Sequence, residues 1–121
     1  MTKNFKIHEF ASKCGRPTPE SVKINLQRLA NNLQVLRDHV GRSITINSGY
    51  RSPEHNRAIK GAVNSRHVIG DAADIVVSGM TPAQVAATIE QLISEGKMQQ
   101  GGLKAYATFC HYDCAGTRRR W

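Results

Sequence analysis

The longest periodic segment of the chain runs from Val22 to Val40. Val22, Leu26, Leu29, Leu33, Leu36 and Val40 recur at alternating steps of four and three, the spacing of one face of an α-helix. Thr18-Pro19 predicts its start, with Thr18 as N-cap and Pro19 at the first helical position, and Gly41 predicts its end. "SITINS" then alternates Ile44 and Ile46 with polar residues, as a half-buried strand does. Ser52-Pro53 opens a short helix to about Lys60, stopped by Gly61. The loop "AVNSRHVIG" leads into "DAADIVVSG", whose apolar, β-branched run reads as a buried strand. Thr81-Pro82 repeats the cap-and-proline signal before a helix that carries Val85, Ile89, Leu92 and Ile93 inward and stops at Gly96. "GGLKAYATFCHYDCAG" predicts two strands joined by a tight turn near Ala107-Thr108, and "NFKIHEF" a short strand or extended lead-in. Helix, strand, helix, strand, helix and hairpin in that order predict an α+β fold: a small, mainly antiparallel sheet packed against helices.

With 121 residues and no repeat or linker, the pattern fits a single domain, 1–121, large enough to bury a core without staples. No apolar run approaches the roughly 20 residues that span a bilayer, so no membrane partner is expected. "MTKNFKIHEF" lacks the apolar core of a signal peptide, which points to a cytoplasmic chain unless something else releases it. Cys14, Cys110 and Cys114 are an odd, sparse set without a C-x-x-C pair, which suits buried thiols in a reducing compartment better than disulfides or a zinc ribbon. The net charge of +8, part of it in Arg118-Arg119-Arg120, predicts attraction to polyanions such as nucleic acid, anionic membrane or acidic wall polymer. A charge excess that merely aids solubility explains it equally well.

The densest chemistry lies in "SRHVIGDAAD". Asp74 falls inside an apolar run, where a carboxylate is costly unless paired, hydrogen-bonded or bound to metal. His67 precedes it by seven residues, with Gly70, Ala72 and Ala73 leaving room between them. A catalytic zinc takes three protein ligands and keeps one position open, so a third donor must come from elsewhere. "TFCHYDC" offers one: alternation puts Phe109, His111 and Asp113 on one strand face and Cys110, Tyr112 and Cys114 on the other. If the strand persists, the Cys110 and Cys114 α-carbons stand about 13 Å apart, too far for a disulfide. On their own, His67 and Asp74 are a weak signal, since lone His/Asp pairs are more often capped loops or salt bridges than metal ligands. Arg51, at the turn in "GYRSPEHN", reads as a surface arginine or as a clamp for a carboxylate or polarised carbonyl. His55 fits an exposed helix position, and His8 and His39 have no companions.

Taken together, S-x-H-x-x-G-x-A-x-D (Ser65, His67, Gly70, Ala72, Asp74) and a late F-x-H-x-D (Phe109, His111, Asp113) resemble the zinc D-alanyl-D-alanine carboxypeptidase family. That group includes vancomycin-resistance dipeptidases and phage L-alanyl-D-glutamate endopeptidases, and shares its fold with the hedgehog signalling domain. "NFKIHEFASKCG", "SGYRSPEHN" and "DCAGTRRRW" extend the resemblance over nearly the whole chain. The resemblance implies a hedgehog/DD-peptidase-like fold and zinc held by His67, Asp74 and His111, with hydrolysis of peptidoglycan stem peptides by a zinc-activated water. It implies that Arg51 stabilises substrate charge and that Ser65 supports the site by a hydrogen bond. It also implies a monomer that acts on the bacterial cell wall, as phage or prophage lysins do, with no nucleic-acid partner.

The sequence departs from the better-known branches at the general base, which they place three residues before the last zinc histidine. Here that position is Thr108. Asp113 is the nearest acidic candidate and Asp71 the next, while a structural Asp113 anchoring the Arg118–Arg120 cluster is a competing reading. Thr108 also motivates a non-catalytic zinc-containing module that binds cell wall or protein. A nucleic-acid-binding domain rests on charge alone, since the chain has neither zinc-finger spacing nor an aromatic-rich RNA-binding pattern.

Overall fold

The computed structural model describes residues 2–10, 18–50 and 66–120. Cys14, Arg51, His55, Ser65 and the helix expected from Ser52 lie outside them. The elements are α1 (Ile7–Phe10), α2 (Glu20–Val40), β1 (Ile44–Ser48), α3 (Arg66–Ile69), β2 (Ala72–Val77), α4 (Pro82–Ser94), β3 (Leu103–Ala105) and β4 (Cys110–Asp113). The four strands form one antiparallel sheet in the order β1-β2-β4-β3. This is the α+β architecture that the pattern predicts. Among the described residues, no helix is long and apolar enough to cross a membrane.

The stripe of α2 buries Val22, Leu26, Leu29, Ala30, Leu33 and Leu36. Each leucine contributes about 1.5–3 kcal/mol through burial, which outweighs the weak local preference for helix. Pro19, not Thr18, holds the N-cap position of α2, with ψ at 150° and no side-chain cap. Its extended conformation delays the helix by one residue, and its carbonyl accepts from the amides of Val22 and Lys23. In contrast, α4 opens on a complete capping box. Thr81 accepts from the Gln84 amide at 3.1 Å, and the Gln84 side chain accepts from the Thr81 amide at 2.9 Å.

The core lies between the helices and one sheet face. Ile44 and Ile46 of β1, Ala73, Ile75 and Val77 of β2, and Cys110 and Tyr112 of β4 pack there with α2 and α4. Phe5 and Phe10 close one end, their ring centroids 6.0 Å apart. By strand alternation, Ala72, Asp74, His111 and Asp113 stand on the opposite face. The final hairpin turns at Ala107-Thr108, with Tyr106 donating to the Phe109 carbonyl at 2.8 Å.

Two further local expectations differ from the structure. "NFKIHEF" ends in the helical turn α1, not in a strand, and His67 sits on the helical turn α3, not in an open loop. Both turns are four residues long, too short to show a hydrophobic period.

Candidate metal centre

The register of the sheet creates the site. Asp74 pairs directly with His111 across β2 and β4, so the two side chains share a face. Gly70 ends α3 with φ at +92°, a conformation that favours glycine, and a Cβ there would run into Val22 of α2. That turn leads into β2 and leaves His67 over Asp74. The register of β1 shifts between Ile46 and Ser48, which keeps Ile46 opposite Ile75 on the core face yet puts Ser48 opposite Asp74.

The Asp74 Oδ1 atom lies 3.2 Å from His67 Nε2 and 3.0 Å from His111 Nδ1. One ligand atom from each of the three residues falls within 4.8 Å of the others. The imidazoles meet edge to face at 5.2 Å. Zinc bonds of about 2.0–2.2 Å set tetrahedral ligand-to-ligand edges of roughly 3.3–3.6 Å, so small outward shifts at the two Asp74 contacts would match those edges. All three side chains are buried, at 3%, 8% and 8% exposure for His67, Asp74 and His111. Two imidazoles and one carboxylate are a donor set suited to a divalent transition metal.

Each histidine is held by its other nitrogen. His67 Nδ1 lies 2.7 Å from the Gly49 carbonyl, which can only accept, so Nδ1 is the donor in that contact and Nε2 is the nitrogen that faces Asp74. His111 Nε2 lies 3.1 Å from Asp113 Oδ2, which leaves Nδ1 as the donor facing Asp74. Burial alone would push the Asp74 carboxyl up, but hydrogen bonds with His111 and His67 outweigh it and hold it well below the usual carboxylate range. Burial likewise opposes a charged His111, yet its bonds to Asp113 and Asp74 raise its pKa. Protons and a metal would therefore compete for this imidazole.

A family comparison gives the cluster its context. The model of peptidase M15 matches residues 3–113. The chain belongs to the peptidase M15 family. Peptidases of this family are metal-dependent, and the His67–Asp74–His111 group could hold the metal. Among solved structures, the M15 chain is similar to the crystal structure of Serratia marcescens L-Ala D-Glu endopeptidase ChiX, with a TM-score of 0.51 and 21% identity. The match covers 81% of this chain and 89% of that one, and shows that the two share a fold. No curated protein matches.

The two other acidic candidates, Asp71 and Asp113, occupy different environments in this M15 chain. Asp71, the second candidate base, is fully buried, and its Oδ2 lies 3.5 Å from Arg28 of α2. It is three residues before Asp74, so strand parity turns it to the core side. Asp113 shares the His111 face but sits behind the ring, on the Nε2 side. Besides His111, its oxygens accept from the Gly102 amide at 2.9 Å, the Ala115 amide at 3.2 Å and Arg119 at 2.5 Å. Burial would raise its carboxyl, but His111 and these donors hold it down to about 2. Asp113 thus contacts both His111 and Arg119 of the C-terminal arginine segment. Thr108 is exposed at the hairpin tip.

The sequence pattern anticipates an arginine partner for Asp113 but not the glycine pair packed against it. A Cβ on Gly101 would collide with the Asp113 backbone carbonyl, and one on Gly102 with its carboxylate. The Gly-Gly pair that opens the hairpin segment was the available signal. Two of the three terminal arginines are turned into the fold. Arg119 binds Asp113, and Arg120 binds Glu90 through two bonds of 2.8 Å and the Gly101 carbonyl at 2.6 Å. The cysteines on the core face are free and buried. Burial, with the Asp74 charge, pushes the Cys110 thiol up to about 12, and burial raises Cys114 as well. Neither is a ready metal ligand.

Proposed function

We propose that this M15 chain is a zinc-dependent peptidase that hydrolyses amide bonds in the stem peptides of bacterial peptidoglycan. The observation that carries the proposal is the buried His67–Asp74–His111 group, with each imidazole anchored through its remote nitrogen. The family assignment supports peptidase chemistry, and the name of the similar structure, an L-Ala D-Glu endopeptidase, points to the substrate class.

In this reading His67 offers Nε2, His111 offers Nδ1, and Asp74 offers a carboxylate whose charge partly offsets that of the ion. Zinc held there would supply a Lewis acid for the scissile carbonyl and a lowered pKa for water in the open fourth position. Asp113 enters as the group that orients His111, because serving as a base would require it to leave its four donors. Arg51 and Ser65, outside the described residues, are assigned through the resemblance: Arg51 to substrate carbonyl or carboxylate charge, Ser65 to a supporting hydrogen bond.

Thr108 favours a second reading, a non-catalytic zinc-containing module that binds cell wall or protein, since an exposed threonine stands where an acid is expected. Isothermal titration with zinc, followed by turnover of stem peptides, separates the two. The proposal predicts one zinc per chain, its loss in His67→Ala and His111→Ala, and hydrolysis that chelation stops. One zinc without turnover supports the module, and failure to bind zinc rejects both.

A further inference from the structure

The metal face of the sheet extends beyond the three donors. Ser48 pairs with Asp74, Asp74 with His111, and His111 with Lys104, so these four residues form one row across β1, β2, β4 and β3. Directly opposed residues of antiparallel strands share a face, with Cβ atoms about 4.5–5.5 Å apart. Lys104 is therefore the immediate neighbour of His111 on that face, and it lies on the edge strand, half-buried.

The Lys104 ammonium lies 5.1 Å from the centre of the Tyr106 ring, and that ring stacks on Phe109 at 4.7 Å with 18° between the planes. Tyr106 is 38% exposed. The contact with the ring face gives the ammonium a defined position without neutralising it. Among the described residues, no carboxylate pairs with Lys104. Asp74 and Asp113, the acids of this face, are engaged by the two histidines and Arg119. The result is a positioned cation beside a stacked aromatic pair, with no compensating carboxylate among the described residues. It is displaced from the His111 row toward the hairpin by up to one two-residue strand repeat, roughly 7 Å. An extended peptide covers at most about 3.3–3.6 Å per residue, so that displacement reaches the residues flanking a bond held at the donors.

We propose that Lys104, backed by Tyr106 and Phe109, forms a subsite for a substrate carboxylate close to the scissile bond, so that the enzyme selects acidic stem peptides. The inference rests on the peptidase reading and narrows it. A D-glutamyl residue joined onward through its side-chain carboxyl keeps its α-carboxylate free beside the bond to the preceding residue. An α-amidated residue does not. Lys104 distinguishes the two by charge, and the stacked rings supply an apolar wall that weakens competition from water.

The test uses two synthetic L-Ala-D-Glu-containing stem peptides, identical except that the glutamyl α-carboxylate of one is a carboxamide in the other. The full-length, zinc-loaded chain is expected to favour the carboxylate peptide about tenfold in kcat/KM, mostly through KM, as one charge-assisted hydrogen bond would give. Lys104→Met should bring the ratio near one while retaining one zinc per chain, and Lys104→Arg should restore the preference. Equal rates on both peptides in the unmodified chain, or a preference that survives Lys104→Met, would overturn the subsite. Failure of the zinc-loaded chain to cleave either peptide would instead overturn the peptidase reading beneath it.

Discussion

His111 Nε2 lies 3.1 Å from Asp113 Oδ2, on the opposite side of the imidazole from the nitrogen that faces Asp74. The same Asp113 oxygen receives Arg119, and the other receives the Gly102 amide. A candidate metal ligand is thus oriented through a carboxylate that the final loop and the C-terminal segment hold in place. Asp113→Asn keeps an acceptor for the backbone amides but weakens the anchor on His111. It is expected to lower zinc affinity by about 10–100-fold, measured by competition with a chelator. Asp113→Ala should also lower stability, by about 1–3 kcal/mol for each buried amide left without an acceptor.

The stability of the metal-free protein should depend on pH in two directions. The Asp113 carboxyl is depressed to about 2, so its contribution is present above its ordinary value of 3.8 and lost as pH falls toward 2. That contribution is about 2 kcal/mol. Asp74, depressed as well, acts in the same direction. His111 is raised, so its contribution is full below its ordinary value of 6.5 and lost as pH rises through its folded pKa. Urea unfolding of chelated protein should show greatest stability between about pH 4 and 6.5, with a flatter acid limb in Asp113→Asn.

Gly101→Ala should destabilise the fold by about 1–3 kcal/mol or more. The new Cβ would meet the main chain of Asp113, which cannot rotate away as a side chain could. Thermal unfolding checks this, and zinc affinity should fall with stability because the same main chain carries Asp113.

The terminal arginines should separate by role. Arg120→Gln removes the two-bond contact with Glu90 and the bond to the Gly101 carbonyl, and is expected to cost about 1 kcal/mol in thermal or urea unfolding. Arg118→Gln, at an exposed position, should change stability by less than about 0.5 kcal/mol. Equal effects would contradict this division.

Alternation and helical spacing carry much of the fold. The leucine stripe of α2, the Ile44/Ile46 strand and the Thr81-Pro82 start of α4 are legible because each has a strong local signal, while the turn at Ala107-Thr108 follows only from the two strand patterns that flank it. The same alternation places His111 apart from the cysteines, and the direct pairing of β2 with β4 brings it to Asp74. It would also have turned Asp71 toward the core, since Asp71 and Asp74 differ in parity. The position of Asp113 behind His111 was not legible. It depends on Gly101, Gly102 and Arg119 meeting β4 through the folding of distant segments. The α3 turn under His67 escaped because four residues leave no period to read.

The most direct test of the central claim is mass spectrometry of purified peptidoglycan after incubation with the zinc-loaded chain. The account predicts new peptide termini within the stem, formed by the unmodified chain and lost in the chelated protein and in His67→Ala. Intact stems after digestion with fully zinc-loaded protein, or the same new termini from metal-free protein, would contradict it.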